Sequence, residues 1–164
     1  MEVDESAYSL LTGIVSGKAI NARIDYSGSH STFKVIQPWK VSKEGIEAED
    51  FSDFPIEGTR FELIRGETYK AIRYGVMQLY SAMLHDKVVE VVGHFGKEDP
   101  RMYFYFIGRV ESIDNEEIVI YDGDEPYSDE YSSSLLYIPY ENSDYEVKEI
   151  EERKQKEEKG KDFN

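Results

Sequence analysis

Several groups of residues in this chain are of types that could do chemistry. Ser29, His30 and Ser31 stand in a row, a hydroxyl beside an imidazole as in a nucleophile and its base. Adjacent side chains on an extended chain point apart, and no Gly-x-Ser-x-Gly elbow accompanies them, so the row reads as a polar turn. "GIVSGK", Gly13 to Lys18, is too short for a phosphate loop and is followed by Ala19 where a hydroxyl is needed for Mg²⁺. His30, His85 and His94, with Asp86 or Glu90, are metal-ligand types, but their spacing pairs none of them on one face. The acidic run "DGDEPYSDEYSSS", Asp122 to Ser134, lacks the glycine and closing glutamate of a calcium-binding loop and reads as a solvated segment. With no cysteine, thiolate catalysis and disulfides are excluded. No catalytic constellation emerges, and neither a cofactor nor a metal is expected.

One segment runs against the composition of the whole. The chain holds 34 acids against 19 bases, a formal charge of −15, yet "ARIDYSGSHSTFKVIQPWKV", Ala22 to Val41, contains a single acid. The imbalance is uneven: residues 1–108 hold 16 acids and 12 bases, residues 109–164 hold 18 acids and 7 bases. Between Thr12 and Lys43 the cations Lys18, Arg23, Lys34, Lys40 and Lys43 face only Asp25. An anion-attracting surface is therefore expected from this segment. Arg23, Tyr26, Lys34, Trp39, Arg60 and Arg65 are the candidate ligand-binding residues: cations hold phosphates, arginines with two parallel bonds, and aromatic faces stack on bases. Asp25 shares a strand face with Arg23 and partly neutralises it, and Trp39 suits either a stacking platform or a lid on the core.

These residues need elements to position them. "SAYSLLTGIVSG" suits a short helix, with Ser6 as a candidate cap and a stop near Gly17. "AINARIDY" alternates as a half-buried strand, "SGSHS" turns, and "TFKVIQPW" returns as a second strand ending near Pro38, together a β-hairpin. If Phe33 and Val35 are its core-facing residues, Lys34 faces solvent. A third strand broken at Gly45 and a fourth at "TRFELIR" follow. From Glu67 to His85, Tyr69, Ile72, Val76, Leu79 and Met83 recur at three and four residues, which predicts a long amphipathic helix. "KVVEVVGHFG", "RMYFYFIGRVESI", "EEIVIYD" and "SSLLYIPY" then read as antiparallel strands, and from Glu146 a charged segment follows with too few apolar residues to pack a face.

Two family resemblances arise from these residues. "LLTGIVSGKAINARIDYSG", "FKVIQPWKV", "GIEAEDF" and "GTRFELIR", within residues 7–66, resemble the WYL domain, with Tyr26, Pro38-Trp39, Ala48 and Arg60-Phe61 in that family's order. Its name-giving motif is replaced by Glu44, Gly45 and Ile46, and Arg60 directly precedes Phe61 where the family has a residue between. "FIGRVESID" and "LLYIPYENSDYEVKEI", within residues 83–150, are similar to the Sm-like small barrel, a strongly bent five-stranded antiparallel sheet preceded by a helix. At the turn where RNA-binding members hold a base, this chain has Asn115, Glu116 and Glu117 and is one residue short, so RNA binding does not carry over from that resemblance.

The expected architecture is mainly β with one long helix (α+β), built of small, strongly bent antiparallel Sm-like or SH3-like barrels. Residues 1–66 form a WYL-like meander, 67–85 the helix, 86–150 the Sm-like barrel and 151–164 a charged tail. The expected function is a non-catalytic binding or regulatory module for a nucleotide or single-stranded nucleic acid. The alternative is an acidic interaction or inhibitor protein, such as a nucleic-acid mimic, engaging a basic protein partner through carboxylates such as Glu125, Asp129 and Glu130. An acidic N-terminus and the absence of an apolar run of about 18 residues favour a cytoplasmic protein without membrane contact, and an oligomer is open.

Overall fold

The computed structural model describes residues 4–25, 31–49, 51–54, 56–95, 103–122, 135–140 and 143–149. Helix α1 (Glu5–Ser16) leads into β1 (Ile20–Asp25) and β2 (Ser31–Ile36). Strands β3 (Pro38–Ser42), β4 (Gly45–Ala48), β5 (Phe51–Phe54) and β6 (Thr59–Glu62) follow. Helix α2 (Tyr74–Leu84) precedes β7 (Val88–Phe95), β8 (Tyr103–Asp114), β9 (Glu117–Tyr121), β10 (Leu135–Pro139) and β11 (Ser143–Glu149). The fold is thus mainly β with two helices, and every pairing is antiparallel.

Helix α1 starts at Asp4, whose carboxylate accepts hydrogen bonds from the Ser6 and Ala7 amides at 3.0 and 3.1 Å. Asp4 therefore takes the capping role expected of Ser6. The Ser6 hydroxyl instead accepts from the Phe61 amide at 2.9 Å and ties the helix to β6. The helix ends at Gly17, which adopts the left-handed conformation at φ 65°. Leu10, Leu11 and Ile14 on its inner face are fully buried.

The strands form a three-stranded sheet, in the order β2-β1-β6, and an eight-stranded one. The second runs β10-β9-β8-β3-β4-β5, with β7 paired to β8 and β11 to β7. Both sheets are open. The closed barrels expected from the sequence are not present, since β10 and β11 do not pair with each other among the described residues. Strand β8 is shared by three neighbours: residues 103–109 pair with β7, 109–113 with β9 and 112–114 with β3. The β3 pairing joins strands of the N-terminal part to those of the C-terminal part. Leu10, Ile20 and Ile46 accordingly lie in one buried cluster with Leu79, Ile113, Ile118 and Ile138.

Helix α2 has 11 residues and begins at Tyr74, seven residues after the start expected from its apolar spacing. The preceding segment is kept out of the helix by specific bonds. The Tyr69 hydroxyl donates to the Ala19 carbonyl at 2.7 Å and accepts from the Ile64 amide at 3.0 Å, and the Lys70 amide donates to Ser16 Oγ at 2.7 Å. Tyr69 and Ile72 still pack on the core, but not as helical residues. At the other end, β11 runs to Glu149, into the charged segment from Glu146 expected not to pack, because Tyr145 and Val147 alternate inward against the core. Residues 150–164 lie outside those described. No helix among the described residues is long and apolar enough to cross a membrane.

Gly108 shows what the shared strand requires. A Cβ at this position would lie 2.1 Å from the Tyr121 carbonyl oxygen, a backbone atom that β9 holds in place. Replacing Gly108 with alanine is expected to cost about 1–3 kcal/mol, the range for overpacking a fitted site, read as a lower urea midpoint. An unchanged midpoint would show that β8 and β9 do not approach this closely.

Candidate functional site

Alternation in the three-stranded sheet sorts its residues onto two faces. Ile20, Ala22, Ile36 and Phe61 are buried, so Asn21 and Arg23 of β1 and Arg60 and Glu62 of β6 point the other way. On β2 the same face carries Phe33 and Val35, which are 68 % and 62 % exposed. The register sets two rows across the strands, Phe33–Arg23–Arg60 and Val35–Asn21–Glu62. The Arg23 guanidinium lies over the Phe33 ring, 5.6 Å from its centroid. Two arginines directly opposite on neighbouring strands repel, and stacking over Phe33 offsets part of that for Arg23. Two adjacent exposed apolar side chains beside two guanidinium groups make an amphipathic face able to receive an anion and a planar apolar group together.

The residues singled out from the sequence separate on this scaffold. Arg23 and Arg60 become cross-strand neighbours. Lys34 sits opposite Ala22, on the other side of the sheet, because Phe33 and Val35 face outward rather than toward the core. Trp39 is 42 % exposed on β3, in the larger sheet, and Arg65 lies in the turn after β6. Tyr26, His30 and the acidic stretch 123–134 lie outside the described residues. Phe33 and Val35 are the site residues that sequence reasoning misplaced. The informative signal was Ile36: once it pairs with the buried Ile20, its strand neighbour Lys34 shares the inner face.

The cations between Thr12 and Lys43 do not converge. Lys18 bonds Glu67 at 2.9 Å, and this hydrogen bond and the lysine's charge hold the Glu67 carboxyl below its usual range. Lys43 bonds Asp86 at 2.5 Å, and Arg109 approaches the same oxygen at 3.5 Å. The lysine hydrogen bond chiefly lowers the Asp86 pKa. Those pairs bind elements together at the surface, and Arg23 and Arg60 are the cations of the amphipathic face, which also carries Glu62. The histidines are apart: His85 Nδ1 lies 2.8 Å from the Ser81 carbonyl at the end of α2, whereas His94 is on β7. No group of three metal-ligating side chains occurs among the described residues.

A second feature lies beneath α2. Val15, Ala71, Ile72, Arg73, Val76, Tyr140 and Tyr145 enclose a cavity of about 60 Å³. It shares Val15, Ala71 and Tyr140 with a wider cleft reaching Asn115 and Glu116. The hydroxyls of Tyr140 and Tyr145 are buried without a hydrogen-bond partner among the described residues. Gly75 lets the Tyr145 ring approach, since a Cβ there would stand 2.8 Å from it. Burial raises the Tyr145 pKa to about 12, does the same to Tyr80, and pushes Tyr140 up further.

No family model, no curated protein and no solved structure matches the chain.

The buried tyrosines predict an alkaline limit to stability. Their folded pKa values exceed the unfolded value near 10, so their contribution is complete below about pH 10 and is lost as pH rises through the folded values. Tyr80, Tyr140 and Tyr145 should each remove up to about 1.4 kcal/mol per pH unit between about pH 10 and 12. Urea unfolding across this range checks it. A double Tyr140→Phe, Tyr145→Phe variant should show a shallower fall, and an identical fall would contradict the assignment.

Proposed function

We propose that the outer face of β2-β1-β6 is a binding surface for single-stranded nucleic acid or a nucleotide, and that the protein is a non-catalytic recognition module. The row Phe33–Arg23–Arg60 carries this reading. An exposed phenyl ring accepts a base by stacking, worth about 1–3 kcal/mol per base, without selecting its sequence. Two guanidinium groups on the neighbouring strands can hold phosphate oxygens through paired hydrogen bonds, and an anion between them relieves their mutual repulsion. Asn21, in the adjoining row, offers both a donor and an acceptor to a base edge. The reading needs neither metal nor cofactor.

The acidity of the rest of the chain shapes such binding. A formal charge of −15 repels polyanions at long range, so binding depends on the local arginines and weakens steeply with salt. For the fold, a small-barrel kinship of the Sm-like kind is part of the same proposal. It is supported by helix α2 running into five antiparallel strands, β7 to β11, with Gly108 of the longest strand closely approached by β9.

Fluorescence anisotropy with labelled oligo-dT and oligo-U, competed with AMP, tests the reading. Phe33→Ala should weaken binding by roughly five- to a hundredfold, matching removal of one stacking platform. Arg23→Ala and Arg60→Ala should each flatten the plot of log affinity against log salt by about 0.7 for every phosphate that the arginine had neutralised. Competition by AMP at the same residues would identify a mononucleotide ligand. Binding unaffected by all three substitutions, or none in the wild type, would overturn the proposal.

A further inference from the structure

The pocket beneath α2 gathers two hydroxyls from different strands. Tyr140 follows β10, where its amide donates to the Glu116 carbonyl at 3.3 Å. Tyr145 stands on β11, its ring so close to the first turn of α2 that a Cβ on Gly75 would lie 2.8 Å away. Both tyrosines line one cavity of about 60 Å³, and neither hydroxyl has a hydrogen-bond partner among the described residues. A buried hydroxyl left unpaired is costly, so two in one cavity favour a molecule that brings them a partner.

Shape and charge together select that molecule. Val15, Ala71, Ile72 and Val76 give the cavity aliphatic walls, and at Val15, Ala71 and Tyr140 it meets a cleft of about 550 Å³. The inner volume is well below the roughly 150 Å³ that takes a benzene ring, so it admits a small polar head whose apolar body stays in the cleft. Charge around the hydroxyls is split. The Arg73 guanidinium lies over the Tyr145 ring, 5.7 Å from its centroid. Tyr140 resists ionisation chiefly through burial and then through the charges of Tyr145, Asp114 and Glu117. A carboxylate head would be repelled by Asp114 and Glu117 at Tyr140, and a cationic head by Arg73 at Tyr145. The cleft sets Lys70 against Glu116 and adds no net charge. An uncharged head with an acceptor at one end and a donor at the other satisfies both sides, and a primary amide is such a group. Water can bridge the same hydroxyls, but an amide on an apolar stem also covers the aliphatic wall.

We infer that this pocket binds an uncharged small molecule ending in a primary carboxamide. Tyr145 donates to its carbonyl oxygen, Tyr140 accepts from its amino group, and the apolar remainder lies in the cleft along Val15, Ala71 and Pro139. The pocket shares no lining residue with the outer face of β2-β1-β6, so this inference stands apart from the nucleic-acid reading and goes beyond it.

Amide chemical-shift titration of the full, isotope-labelled chain with benzamide, benzoate and benzamidine tests it, because the three probes share a ring and differ in the charge of the head. Benzamide should give saturable shifts at Ala71, Gly75 and Val76. Benzoate and benzamidine should each bind at least about fivefold more weakly, the low end of mispairing a buried polar group. A Tyr140→Phe, Tyr145→Phe variant should bind benzamide at least about fivefold more weakly, while its ligand-free melting temperature stays at or above that of the wild type, since the hydroxyls have no partner among the described residues to lose. Ala71→Leu, at an exposed position on the mouth, should weaken benzamide in the same way by blocking entry, and it decides the matter if the phenylalanine pair does not fold. Benzoate or benzamidine binding as tightly as benzamide would overturn the proposal. Benzamide shifts unaltered by either variant, or no saturable shift with benzamide, which would leave water as the occupant, would overturn it as well.

Discussion

The carbonyl oxygen of Tyr121 occupies the space in which a side chain at position 108 would begin, and the arrangement of the larger sheet depends on that close approach. Because Gly108 has no side chain, β9 can close in on β8 just where Arg109 stands opposite both Val88 of β7 and Tyr121 of β9. The far end of β8 is then free on one edge to pair with β3. Among the described residues it is the one ladder that joins β3, β4 and β5 to the C-terminal strands. Without it the shared cluster around Ile46, Leu79 and Ile113 would lose the sheet that covers it. The Lys43–Asp86–Arg109 ion pairs lie at the same junction, but exposed pairs of this kind contribute little beside the ladder and the buried cluster.

The same arrangement explains how a strongly acidic chain displays two surfaces of different character. The inner faces of both sheets are occupied by aliphatic side chains, so strand alternation forces the intervening residues outward. On β1 and β6 those residues are Asn21, Arg23, Arg60 and Glu62; on β7 and β11 they include Glu90, Glu146 and Lys148. Each face also carries exposed aromatic rings, Phe33 on one and Tyr103 with Tyr105 on the other.

Much of this was legible in the residues. Period-two alternation located β1, β2 and β7 to β10, and Gly17 marked the end of α1. Three features were not legible, each for a physical reason. Tyr69 and Ile72 continue the spacing of α2, but the Tyr69 hydroxyl bridges Ala19 and Ile64 and keeps the segment out of the helix. In β2 both faces are mixed, Phe33 and Val35 against Lys34 and Ile36, so alternation alone could not choose the inner one. The pairing of Ile36 with Ile20 chooses it. In β11 the inward Tyr145 and Val147 are hidden among charged residues, so alternation did not show a strand; only the likeness of "LLYIPYENSDYEVKEI" to the last strands of a small barrel pointed to one, and the β7 ladder forms it. The candidate site shifted for the second of these reasons, keeping Arg23 and Arg60, separating Lys34, and adding Phe33 and Val35.

The central claim is the proposal that the outer face of β2-β1-β6 receives single-stranded nucleic acid on Phe33, Arg23 and Arg60. Amide chemical-shift mapping of isotope-labelled protein titrated with oligo-dT tests this most directly. The account predicts perturbations centred on Asn21, Arg23, Phe33, Val35, Arg60 and Glu62, with the amides of Tyr103, Tyr105 and Ile107 unmoved. Perturbations centred on β8 and β7, or none on β1, β2 and β6, would contradict it.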